Sequence, residues 1–161
     1  MNALEAIGKR RSVRKYTGEP IPGKDLEKIV DAGRLAATGS NRQPWDFVVV
    51  TDRAMVARLK VAAEWMEKAA AIIAVVMDPS TQWWLEDGAA AVENMLIAST
   101  ALGYGSCWLE GDTLPHEEEF KKVLGVPKEK RLLTLVPVGV PAEEPTREKK
   151  SLQEVLHWER Y

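Results

Sequence analysis

Arg10, Arg11, Ser12, Val13 and Arg14 set three guanidinium groups and a hydroxyl within five residues. A guanidinium stays charged, and its planar fork takes phosphate or carbonyl oxygens two at a time. The stretch is therefore a donor array suited to a phosphorylated ligand. A second basic cluster, Arg147 with Lys149 and Lys150, lies near the other end of the chain. Two remote clusters of one sign point to one shared anion, but they equally fit two solvated faces of a chain in which lysine and arginine total 22. Between them, Thr38-Gly39-Ser40-Asn41-Arg42-Gln43-Pro44-Trp45 is a polar, turn-forming stretch ahead of an apolar run. The amides of Asn41 and Gln43 both donate and accept. They suit the edge of a pyrimidine-like ring, and they suit an ordinary helix-to-strand loop as well.

Composition narrows the setting. A chain of 161 residues fits one domain, residues 1–161, with a real core. With 22 basic and 24 acidic residues the formal charge is -2, so no global field draws the protein to nucleic acid or to a membrane. The longest apolar run, Ala69 to Met77, has nine residues, about half of the roughly 20 that a membrane helix needs. Met1 to Arg10 lacks the layout of an export signal, so the expected location is cytoplasmic. Cys107 is the single cysteine, which excludes an internal disulfide, and with only His116 and His157 no zinc-binding cluster forms. Cys107 also sits in an apolar run with no histidine nearby, which argues against a nucleophile. Six tryptophans, several among polar residues, suit a ligand pocket or a subunit interface.

The elements that must position these residues follow from apolar spacing. A short helix over residues 2–10 leads into the arginine cluster. Pro20-Ile21-Pro22-Gly23 breaks the chain, and Leu26, Ile29, Val30, Gly33 and Ala37 mark an amphipathic helix over 24–37. A buried strand over 47–50, a helix capped by Asp52 and running to about Trp65, and an apolar central strand over 71–77 come next. A long helix over 83–102 has an alanine-rich surface, and a strand over 104–109 ends in the turn Glu110-Gly111-Asp112. A helix over 115–124 opens with Glu117, Glu118 and Glu119, which read as a solvated face. The last strand spans 132–136, with Pro137 terminating or bulging it, and a proline-stiffened tail, 141–161, ends in an apolar patch. Helix and strand alternate, and periodicity by itself predicts a parallel sheet.

Taken together, Arg10-Arg11-Ser12-Val13-Arg14, Ser40-Asn41-Arg42-Gln43-Pro44-Trp45, Leu109-Glu110-Gly111 and the basic tail resemble the nitroreductase family of FMN-dependent, NAD(P)H-linked oxidoreductases. The resemblance covers nearly the whole chain. It implies an α+β fold whose mainly antiparallel central sheet is wrapped by helices, in an interlocked homodimer with FMN at the subunit interface and the tail 141–161 docked on the partner. Periodicity by itself leads to a parallel sheet, and the expectation follows the resemblance instead.

By the same resemblance, Arg10 and Ser12 contact the phosphate and ribityl groups, and Arg11 and Arg14 lie beside the phosphate or the pyrimidine end of the ring. Ser40, Asn41 and Gln43, followed by Pro44, come from the partner subunit. Leu109, Glu110 and Gly111 face flavin N5, and Arg147 and Lys149 return to the phosphate. The implied activity moves hydride from NADH or NADPH to flavin N5 and then to a nitroaromatic, a quinone or a flavin, with no dedicated acid or base. Alternatives on the same fold are dehalogenation, oxygen-dependent dehydrogenation and flavin remodelling. A non-catalytic nucleotide sensor is the alternative outside enzymology. Only about ten residues separate the second strand from the long helix, where larger relatives carry a helical insertion, so the pocket is expected to be open. Trp65, Trp83 or Trp84 lines it or packs at the dimer seam, and Glu64, Trp65 or Lys68 takes the place of a further polar contact.

Overall fold

A computed structural model describes all 161 residues. Asn2 caps the first helix, α1 (Ala3–Lys9), through a reciprocal bond pair with Glu5, which fixes where the helix begins and delivers Arg10 at its end. Helix α2 (Gly23–Arg34) follows, then strand β1 (Trp45–Val50) and helix α3 (Arg53–Leu59), whose start is fixed by Asp52 accepting from the Met55 amide. Strand β2 (Ala71–Met77) leads to the long helix α4 (Trp84–Ala101) and the short strand β3 (Gly105–Ser106). A single helical turn, α5 (Glu110–Thr113), helix α6 (Glu117–Leu124), strand β4 (Arg131–Gly139) and a second single turn, α7 (Leu152–Val155), complete the chain.

The four strands lie in the order β1-β2-β4-β3, and every neighbouring pair is antiparallel. The parallel sheet expected from periodicity is thus overturned. Alternation of helix and strand is blind to strand direction, which depends on where each connection lands. The α+β architecture with helices around an antiparallel sheet is the one the resemblance implied.

Strand β2 explains the core. Residues of alternate parity point to opposite faces. Ala71, Ile73, Val75 and Met77 meet Leu26 and Ile29 of α2 and Val92, Met95 and Leu96 of α4. Ile72, Ala74 and Val76 meet Val56 and Leu59 of α3 and Phe120 of α6. A strand covered on both faces has no polar alternation to show, as its sequence indicated. The register with β4 slips between Val75 and Val76, leaving Leu133 as the extra residue of a bulge. Pro137 does not end β4, which continues to Gly139, because its missing donor is tolerated while its carbonyl accepts from the Cys107 amide.

Four further expectations are corrected. The strand at 47–50 is an edge strand, half-exposed over most of its length, rather than a buried one. The helix begun at Asp52 stops at Leu59, and residues 64–68 form a separate 3₁₀ turn. The strand over 104–109 shrinks to two residues, since its continuation curls into α5. Glu117 is buried rather than solvated. Its carboxylate takes both arms of Arg131, at 2.7 and 2.8 Å, together with the Leu132 amide at 3.0 Å. That grip, chiefly the Arg131 bonds, holds the Glu117 carboxyl below its ordinary range.

Candidate functional site

The arginine stretch is laid against the sheet's short edge. Val13 donates its amide to the Ser106 carbonyl at 3.0 Å, and Ser12 pairs with Ser106 in a parallel bridge. Gly105 permits this approach, since a Cβ there would stand 2.8 Å from Val13. Buried Tyr16 anchors the far end of the stretch, donating its hydroxyl to the Val13 carbonyl at 2.8 Å. Burial pushes its phenol far above the usual range.

The tail returns beside the same stretch. Thr17 donates to Val140, Ala142 donates to Lys15, and the Arg14 amide donates to the Glu143 carboxylate at 2.6 Å. Arg11 completes the union. Its Nε donates to the Arg147 carbonyl at 3.1 Å, and its Nη1 donates to the Gly8 and Arg10 carbonyls at 2.9 and 2.8 Å.

Between stretch and tail lies a cavity of about 360 Å³ lined by Arg10, Arg11, Ser12, Arg14, Pro145, Arg147, Glu148 and Lys149, all but Pro145 polar or charged. Five of these residues are cationic and one, Glu148, is acidic. Glu93 of α4 orients Arg10 from behind, at 3.3 Å from its Nε. So dense a set of forked and single-point donors, with a hydroxyl among them, fits a phosphate monoester. A second cavity, also of about 360 Å³, adjoins through Arg14 and is lined by Lys15, Tyr16, Glu64, Trp65, Glu67, Lys68 and Ala142. All three residues left open at 64–68 therefore face one space. The Trp65 ring lies 6.3 Å from that of Tyr16.

Cys107 is buried below the arginine stretch, beside Leu109 and α5. Its thiol is pushed up by burial, against the pull of Arg14 and a hydrogen bond with Ser12. Leu109 is buried with its amide on the Leu135 carbonyl, Gly111 is exposed, and the Trp108 indole fixes the Glu110 carboxylate at 3.1 Å.

Ser40, Asn41 and Gln43 line neither cavity. All three are exposed, and each has a positive φ, of 53°, 55° and 50°, which side-chain-bearing residues rarely adopt. Their loop packs on the start of α4. Thr100, toward the other end of that helix, lines a cavity with Lys9 and Arg11, about 20 Å farther along the helix axis by the 1.5 Å rise per residue. Residues 7–72 and 54–140 match the sequence model of the nitroreductase family.

The chain belongs to that family.

A protein of Archaeoglobus fulgidus, provisionally named NADH dehydrogenase/NAD(P)H nitroreductase, is 38% identical over 152 residues, spanning 88% of this chain and 86% of that protein. The FMN-bound nitroreductase of Bacteroides fragilis superposes with a TM-score of 0.82 at 27% identity, with 100% of each chain covered. An iodotyrosine deiodinase of Thermotoga neapolitana is 27% identical over 161 residues, spanning 83% of this chain and 85% of that protein. Within this nitroreductase-family chain, sequence spacing found both basic clusters and the polar loop. Glu93, Glu143 and Asp87, which hold those groups in place, escaped it. No local pattern marks a carboxylate whose partner lies 48 or 129 residues away.

Proposed function

We propose that the chain is an FMN-dependent oxidoreductase that works as a homodimer, taking electrons from NADH or NADPH and delivering them to a nitroaromatic, a quinone or a flavin. The observation that carries this reading is the cavity lined together by Arg10, Ser12, Arg14, Arg147 and Lys149, a donor set matched to the phosphate of FMN. FMN held by these residues would supply the two-electron redox chemistry that links the nicotinamide donor to the acceptor.

The chain's own residues bind, orient and tune. Arg10, Ser12, Arg147 and Lys149 hold the phosphate, and Arg11 serves them by fastening the tail. Arg14 bridges the two cavities, so its charge lies where the phosphate space meets the aromatic one, and positive charge there favours an anionic reduced ring. Leu109, Glu110 and Gly111 flank the ring. Ser40, Asn41 and Gln43 reach it from a second copy, which explains polar side chains that are exposed on their own subunit, while the buried Pro44 follows the turn that presents them. Residues 141–149 of the tail lie against the chain's own arginine stretch, and the exposed remainder, 151–161, docks on that copy. The cavity with Trp65, Lys15 and Lys68 receives the acceptor.

The test is the visible spectrum of the purified protein followed by anaerobic addition of NADH or NADPH. A flavin band that bleaches, and recovers when an acceptor is added, supports the reading. A colourless protein that takes up no FMN overturns it. Reductive dehalogenation is a second reading, favoured by the match to the deiodinase. Turnover of a halogenated phenol by the reduced enzyme, with nitroaromatics left untouched, selects it.

A further inference from the structure

Asp87 is the one buried carboxylate in the structure with an oxygen that nothing satisfies. It stands in the first turn of α4 and is 6% exposed. Its Oδ1 accepts the Gly39 amide at 3.0 Å, across 48 residues of chain, while Oδ2 is buried with no donor. A carboxylate removed from water and left half-bonded costs stability, so its retention calls for a task.

The bond it makes names the task. Gly39 opens the turn in which Ser40, Asn41 and Gln43 hold left-handed backbone, a conformation that persists only where surrounding structure over-determines it. The three side chains contribute little to that restraint. Only the Gln43 amide bonds within the loop, to the Asn41 carbonyl at 3.3 Å. Two backbone bonds close the turn, from Asn41 to the Thr38 carbonyl at 3.1 Å and from Arg42 to the Gly39 carbonyl at 3.2 Å, and further restraint comes from beneath it. Trp83 closes on Gly39 so tightly that a Cβ there would lie 2.4 Å from the indole, Thr38 accepts the Gln43 amide at 3.2 Å, and Asp87 holds the Gly39 amide.

We infer that Asp87 is a positioning residue that clamps the Ser40–Gln43 loop in its strained form, presenting polar side chains to the flavin bound by a second copy. The inference rests on the cofactor reading above for the loop's target, though not for the clamp itself. The ion helps at this position because a negative charge in a helix's first turn is favoured by the macrodipole. Its unpaired Oδ2 leaves one acceptor open on the buried side of the loop.

The test compares Asp87→Ala and Asp87→Asn by amide hydrogen exchange at Gly39 and by FMN titration. Asn keeps an acceptor oxygen of the same reach, whereas Ala has none. In Asp87→Ala, Gly39 exchange should rise, and FMN affinity should fall, each by about tenfold or more, with Asn restoring both. Unchanged Gly39 exchange in Asp87→Ala overturns the clamp, as does a loss of FMN affinity that Asn fails to rescue. If Asp87→Ala does not fold, Asp87→Ser gives the same two readings, since its hydroxyl is too short to reach the amide. If the wild-type protein takes up no FMN, the cofactor reading fails, and Gly39 exchange alone still decides the clamp.

Discussion

At Arg14 the backbone and the side chain have separate tasks. The amide is spent on Glu143, and the guanidinium is left to face both cavities. Arg14→Ala should therefore leave the tail attached while weakening FMN binding about 10- to 100-fold and lowering the flavin reduction potential. Fluorescence titration and dye-coupled potentiometry read the two effects, and unchanged values would remove Arg14 from the site. Glu117 presents the opposite case, a buried group with a structural task. Its carboxyl titrates lower in the folded chain than in the unfolded one. The Arg131 pair therefore contributes in full above the ordinary glutamate range, and its contribution is lost as pH falls through the depressed value. Glu117→Gln should cost about 2 kcal/mol at neutral pH, and the difference from wild type should shrink below about pH 4. Thermal melts across that window check both the size and the sign.

Arg11 acts at the scale of elements. Its three hydrogen bonds all go to backbone carbonyls, one of them 136 residues away, and they join the end of α1 to the tail. This makes the tail a wall of the cationic cavity. In Arg11→Ala, proteolysis within residues 143–150 should quicken, and FMN affinity should fall through loss of Arg147 and Lys149 from the site. Arg11→Lys keeps the charge but cannot hold three carbonyls from one planar group, so it should fail as well. Normal affinity in Arg11→Lys would show that charge alone matters there. The same scale explains what spacing could and could not reveal. Apolar positions on α2 were legible because a helix face recurs every three or four residues. The end of α3 at Leu59 and the curl after β3 were not, since tertiary packing decides them.

As a whole molecule, the chain leaves unusual apolar surface open. Leu4 is 81% exposed, Trp158 is 81% exposed, and Ile7, Leu35, Leu152 and Leu156 are exposed as well. These side chains, on α1, after α2 and on the tail, are ones that the proposed second copy would cover. Sedimentation equilibrium should give twice the 17.9 kDa chain mass, and a monomer holding FMN in full would exclude the two-copy site. The net charge of -2 sets up no general pull on anions, so the attraction to FMN that we propose arises in the cavity with its five cations. Affinity should decline as salt rises, because part of that cluster is open to solvent and screened.

The sequence by itself determined the chemistry on offer: two clusters of guanidinium and ammonium groups, a polar loop before an apolar strand, and the resemblance that named a family. Residue type and short-range spacing are local properties, and they survive without a fold. The tertiary structure bore out the antiparallel sheet that the resemblance implied against the periodicity, and it alone decided that Arg11 fastens one basic cluster to the other and that Asp87 holds the strained loop. Strand direction and pairings across 48 or 136 residues depend on how the chain closes on itself, and no periodicity along the chain records that closure.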